Sequence, residues 1–191
     1  MTELTVKKWI TASFLGWLCG IVVVIFTSGL FDAIGLEGYQ FYLGISVGGS
    51  VGFFQQRMLS RTAGIGMQWI WWSMLGMGLP FLLFDLLKIY GGASFGNTSL
   101  QYSIALGGAL TSGLQSLLLR QKGYYASRWL LTGWSGWVLA TATVLAVDYT
   151  KYITDYNWAL FVINLTLILS GGVVLGAITG LPLLKILKRS D

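Results

Sequence analysis

Six stretches of about twenty apolar residues, long enough to cross a bilayer as helices, follow one another along the chain. They lie near 9–31, 41–59, 66–87, 99–119, 128–147 and 158–184. The polar links between them are no longer than roughly a dozen residues, too short for a folded soluble domain, and they force consecutive spans to be antiparallel neighbours. In three spans, small residues recur at every fourth position: Gly44, Gly48 and Gly52 leading to Gln56; Ser103, Gly107 and Thr111 leading to Gln115; and Gly172, Gly176 and Gly180. A spacing of four puts each set on one helix face, and in lipid such a face lets two backbones approach closely. The pattern predicts an all-α membrane protein: six transmembrane helices in three antiparallel hairpins, about 1–61, 62–122 and 123–191, within a single transmembrane domain 1–191. The first span follows Lys7 and Lys8 like a signal peptide, but it is long, contains tryptophan and has no Ala-x-Ala site after it, so it is read as retained.

The odd-numbered spans carry a second pattern. Trp9, Trp69 and Trp129 are spaced by sixty residues, with Ser13, Ser73 and Gly133 four positions later and Gly16, Gly76 and Gly136 seven positions later. Two patterns that both follow the hairpins predict an internal repeat. Because every copy starts on the same side, the copies have parallel topology, related by an axis along the membrane normal. At the span starts, Trp9, Trp69 and Trp129, together with Trp158, are expected in an interfacial belt, where an indole keeps its ring in lipid and its N–H in water. Trp71, Trp72, Trp134 and Trp137 lie deeper and read as packing or lipid-facing bulk.

Charge adds orientation. The chain is 55% hydrophobic and only 10% charged, against about 25% charged in soluble domains. Lys7, Lys8, Arg57, Arg61, Arg120, Lys122, Arg128, Lys185, Lys188 and Arg189 all fall on one side of the predicted membrane. The other side holds Lys88 and Lys151 with Asp32, Glu37, Asp85, Asp148 and Asp155. The positive-inside rule then places both termini in the cytoplasm. The net charge of +5 reflects this asymmetry and not a nucleic-acid partner. Cys19 is the sole cysteine and there is no histidine. An intrachain disulfide, the usual haem and transition-metal ligand, and the commonest general base are thereby excluded. No Gly-xxxx-Gly-Lys-Ser/Thr phosphate loop occurs, the glycine-rich runs sitting inside apolar helices, and no intramembrane-protease Asp pair, Ser–His dyad or His-Glu-xx-His can be assembled.

Gly113-Leu114-Gln115, Arg120, Ala126 and Trp129 form a Gly-x-Gln…Arg…Trp hairpin pattern that resembles uncharacterised multi-pass bacterial membrane proteins, including ones from photosynthetic bacteria. Gln56, Leu59, Arg61 and Trp69 repeat it with Phe54 in place of glycine. The third copy departs, with Gly180 for the glutamine and Pro182 after it. The resemblance covers two of three hairpins and implies a six-helix membrane protein, with no activity to carry over.

Polar groups within the spans are few. Gln55, Gln56 and Gln115, near the cytoplasmic ends, form a candidate polar site for a headgroup or pigment; the alternative is that their amides bond local backbone and fix helix register. Asp85 is expected at the interface, paired with Lys88, and Asn164 with Thr166 marks another polar spot. Asn97-Thr98-Ser99 matches a glycosylation sequon. Gly16, Gly76 and Gly136, with the striped faces, are the expected helix-packing positions. The expected function is a non-enzymatic accessory or scaffold subunit in a bacterial inner membrane or an internal photosynthetic membrane. Its expected partners are the lipid bilayer and other membrane-protein subunits or a second copy, with no nucleic acid. No cofactor is signalled, although pigment or lipid is compatible. The alternatives are a small transporter or channel, and a binder of lipid, quinone or pigment. Only Pro80 and Pro182, both read as near span ends, break the helix pattern, which favours the scaffold over moving helices.

Overall fold

Each apolar stretch folds as one helix: α1 Val6–Ala33, α2 Phe41–Ala63, α3 Gln68–Ile89, α4 Ser99–Gln121, α5 Trp129–Leu145 and α6 Asn157–Lys188. The structure, a computed structural model, describes residues 4–36, 38–92 and 98–188. Glu37, Arg189 and Asn97 of the sequon lie outside the described residues. Local chemistry sets several ends. The Thr5 hydroxyl accepts the Lys8 N–H at 3.3 Å to start α1. Gly64, at φ +60°, takes the left-handed conformation that ends α2 against the Leu59 carbonyl.

Five of the six helices are long and apolar enough to cross a membrane. The exception is α2, whose Gly44, Gly48, Gly49 and Gly52 stripe and Gln55-Gln56-Arg57 end lower its hydropathy. The fifth span runs Trp129–Tyr152 and covers nearly all of the expected 128–147. Its α-helical part stops at Leu145 and the chain tightens into a 3-10 helix, Ala146–Tyr152, before α6. Pro80 also departs from expectation: it is buried in the middle of α3. Lacking an N–H, it leaves the Gly76 carbonyl without its helical donor.

Every helix packs on its neighbours in the chain, and α6 packs back on α1, so the six form a closed ring. The small residues make this closeness possible. A Cβ on Gly16 would lie 2.6 Å from Val51 Cα, and one on Gly76 would lie 2.5 Å from Thr111 Cα. One on Gly44 would lie 2.5 Å from the Met77 carbonyl oxygen, and one on Gly48 would collide with the Ser73 carbonyl. Gly52 faces the Ser73 side chain and Gly107 faces Met77; Gly136 meets Thr179 and Leu175. On α6, Gly172 meets Trp17 and the Phe14 backbone, Gly176 the Ile10 backbone, and Gly180 the Trp9 ring. The glycine positions therefore lie at helix contacts, as the stripes predict.

The tryptophans correct one expectation. Trp9, Trp69 and Trp129 are not in an interfacial belt; they are 0–2% exposed and centre the largest core cluster, with Leu59, Leu119 and Leu183. In a six-helix ring the face bearing Trp9, Ser13 and Gly16 points at the axis, so the indoles turn inward. Trp158 is 75% exposed, and Trp71 and Trp134 also face outward. A second core layer, further along the axis, contains Trp17, Val51, Met77, Trp137, Ala140 and Leu175.

Candidate functional site

The axis is built by the odd-numbered helices, whose side chains step inward every fourth residue: Trp9, Ser13 and Trp17 on α1; Trp69, Ser73 and Met77 on α3; Trp129, Gly133 and Trp137 on α5. At one end the three indoles meet. Trp129 contacts Trp9 edge-on with centroids 6.5 Å apart and Trp69 at 5.7 Å. Such aromatic pairs contribute about 0.5–1.5 kcal/mol each beyond their burial.

Around the indoles, each even-numbered helix supplies one polar acceptor. Trp69 Nε1 donates to Gln55 Oε1 at 3.2 Å, Trp129 Nε1 to Gln115 Oε1 at 3.1 Å, and Trp9 Nε1 to Thr179 Oγ1 at 2.8 Å. The indole N–H is only a donor, which fixes the amide oxygens toward the rings. The amide nitrogens then point the other way: Gln55 Nε2 donates to Ser13 Oγ at 3.1 Å, and Gln115 Nε2 to Ser73 Oγ at 2.9 Å. Each glutamine thus ties the odd helix before it to the odd helix after it. On α6, Thr179 has no amide to extend and donates to its own Leu175 carbonyl at 2.6 Å. The network links all six helices and satisfies every amide atom of Gln55 and Gln115.

Of the predicted polar residues, only Gln55 and Gln115 come together. Gln56, which the stripe aligns with Gln115, lies one residue out of register; its amide donates to the Ile65 carbonyl at 3.3 Å, the local backbone bond that was the alternative reading. Asp85 is corrected as well. It is 4% exposed, buried in protein and not open at the interface, although the Lys88 charge still acts on it. Its Oδ2 accepts the backbone N–H groups of Gln40 and Phe41 at 2.7 and 2.8 Å. It caps the first turn of α2 from the end of α3, where a carboxylate also suits the helix dipole. Asn164 Oδ1 accepts from Thr150 Oγ1 at 2.7 Å, tying α6 to the 3-10 segment. Asp85 and Asn164 therefore serve local closure, apart from the Trp–Gln network. In the connection beside Asp85, the Tyr39 hydroxyl is pushed above its ordinary pKa, chiefly by its hydrogen bond with Tyr90.

Trp17, Met77 and Thr179 were missed as axial residues. A signal was present for the first two: Trp17, Met77 and Trp137 repeat at the same sixty-residue spacing as the first three tryptophans. Among the described residues, no cluster of histidine, cysteine, aspartate or glutamate is arranged to hold a metal. Comparison with protein-family models, with curated proteins and with solved structures returns no match.

Proposed function

We propose that this chain is a six-span, non-enzymatic membrane scaffold: an accessory subunit that packs with other membrane components, with both termini cytoplasmic. Three repeated hairpins would generate the ring. Equivalent contacts support the repeat: Gly16–Val51, Gly76–Thr111 and Gly136–Leu175 within hairpins, and Gly48–Met77, Gly108–Trp137 and Gly172–Trp17 between them. On this reading Gln55, Gln115 and Thr179 are counterparts, with four extra residues before α6 accommodated by the 3-10 segment. Counting α2 as a span follows from its place in the ring and its length of 23 residues.

The observation that carries the scaffold reading is the sealed Trp–Gln layer. A transport path needs polar groups facing water, whereas here three buried indoles close the axis and both amides are consumed by protein partners. Among the described residues, the one buried carboxylate, Asp85, is used to cap a helix. The outer face carries exposed Phe26, Trp71, Trp134 and Phe161, suited to lipid and to apolar faces of membrane partners. A bacterial inner membrane, or an internal photosynthetic one, fits the charge asymmetry.

Extraction from the native membrane in gentle detergent should bring down a defined membrane-protein partner; recovery of the chain alone together with solute flux in vesicles would oppose the proposal. Gln115→Leu supplies a second discriminator. It leaves the Trp129 N–H without its acceptor and removes the bond that the Ser73 hydroxyl accepts, although that hydroxyl still donates to the Trp69 carbonyl, so the bundle should lose about 1–3 kcal/mol of stability. An unchanged melting temperature with a specific loss of flux would decide for a transporter. For topology, in a Cys19→Ser background, a cysteine at Thr154 should react with an impermeant reagent on intact cells and one at Gly123 should not; labelling at 123 would reverse the orientation.

A further inference from the structure

We infer that the far half of the ring is a blind apolar cup that holds one hydrocarbon tail, acyl or isoprenoid, of a membrane amphiphile. Residues from all six helices enclose a cavity of about 280 Å³ on the opposite side of the second core layer from the three clustered indoles. Trp17, Met77 and Trp137 form its floor, and Ile21, Phe81 and Thr141, one turn further, form its wall. Val47, Ile104 and Ile168 fill the wall from the even-numbered helices, and the rim reaches Ile25 and Leu145.

The lining leaves nothing for water to bond. The Thr141 hydroxyl donates to the Trp137 carbonyl at 3.0 Å, and Trp17 Nε1 donates to the Ile168 carbonyl at 2.9 Å, so both polar groups are turned into the protein. A cavity of this kind stays dry and takes apolar guests. From the Trp17 floor to the Ile25 rim is eight residues, a depth of about 12 Å at the helical rise. A cavity of about 280 Å³ with that depth is deeper than it is wide, a shape that accepts a hydrocarbon tail end-on. The floor is closed by Met77 and by the tilted rings of Trp17 and Trp137, whose centroids lie 6.3 Å apart, so the chain end stops there. An amphiphile entering tail-first leaves its headgroup at the rim, toward residues 38–40 and 146–156.

The inference rests on the chain lying in a bilayer, but not on its having a protein partner. Palmitic acid with a diazirine at its chain end, equilibrated into vesicles carrying the full chain and photolysed, should label Met77, Phe81 or Thr141. Leu83, exposed on the outer face of α3, reports the bilayer itself and should be labelled independently. Ile21→Trp and Ile104→Trp fill the cup from opposite sides. Either should cut labelling of Phe81 by about tenfold, a difference of roughly 1.4 kcal/mol, and leave Leu83 labelling unchanged. Label at Leu83 with none in the cup, or cup labelling that both variants leave intact, would overturn the proposal. Absence of label at Leu83 would instead remove the membrane reading beneath it. Mass spectrometry of extracts from the purified protein then assigns the tail, a glycerolipid marking an acyl chain and a quinone an isoprenoid one.

Discussion

Trp129→Ala should be among the most damaging single substitutions in this protein, costing about 3–5 kcal/mol. For a chain of this length that corresponds to a fall in melting temperature of about 6–20 °C in mild detergent. Two losses coincide. The indole is 2% exposed and touches Trp9 and Trp69, so its removal opens a cavity that neither lipid nor water fills readily. The α4–α5 hydrogen bond in this layer is broken, and Gln115 Oε1 loses its donor while remaining buried. In a membrane the hydrophobic effect does little to hold helices together, so packing and interhelical hydrogen bonds carry more of the load. Trp129→Phe separates these contributions, because it keeps an aromatic ring against Trp9 and Trp69 and loses only the N–H. It should cost about 1–3 kcal/mol. Trp71→Ala, on an indole that is 56% exposed, is the control and should shift melting little. Equal effects of Trp71→Ala and Trp129→Ala would mean that the indole cluster does not hold the ring.

The contrast between Trp71 and Trp129 also marks how far the sequence could be read. Helix number, the short links and the contact role of the glycines follow from spacing alone, because a four-residue period fixes a face whatever lies opposite. The direction of the tryptophans does not follow in the same way. Trp9, Trp69 and Trp129 stand at span starts, where an interfacial belt and an axial cluster have the same height in the membrane. The two differ only in rotation about the helix. Their placement on the face shared with Ser13 and Gly16, Ser73 and Gly76, and Gly133 and Gly136 was the available clue. It becomes decisive only once α6 is known to return to α1.

The glutamines show a related limit. Aligning the stripes by their glycines pairs Gln56 with Gln115, whereas aligning by the tryptophans pairs Gln55 with Gln115, fourteen residues before each indole. The hydrogen bonds select the second register. On α6 neither register finds a glutamine, and Thr179 takes the role through its shorter side chain, which no amide motif anticipates. For Asp85, the charge of Lys88 three residues on was legible, but its burial was not. Its hydrogen-bond donors are backbone groups at residues 40 and 41, which carry no side-chain signature.

Gly76→Leu should separate α3 from α4. A Cβ at this position meets the Thr111 Cα at 2.5 Å and its backbone nitrogen at 2.7 Å, so the obstruction is main chain, which cannot rotate aside. Pro80 follows one turn later and leaves the Gly76 carbonyl without a helical donor, so this stretch of α3 depends on its neighbour more than a regular helix would. Overpacking typically costs about 1–3 kcal/mol, and a backbone obstruction belongs at or above the upper end of that range. The expected fall in melting temperature is about 6–12 °C, measured on the purified protein. Gly29→Leu tests whether the effect is steric. Gly29 also lies within a helix, α1, yet nothing stands within 4 Å of a Cβ built on it. There leucine should be neutral or stabilising, because glycine costs about 1 kcal/mol in helix propensity relative to better helix formers. If Gly76→Leu is tolerated as well as Gly29→Leu, α3 and α4 are not in backbone contact and the ring is looser than the structure describes. If Gly76→Ala alone produces much of the loss, the contact is set by the absence of a single methyl group, and the small-residue stripe is what closes the ring.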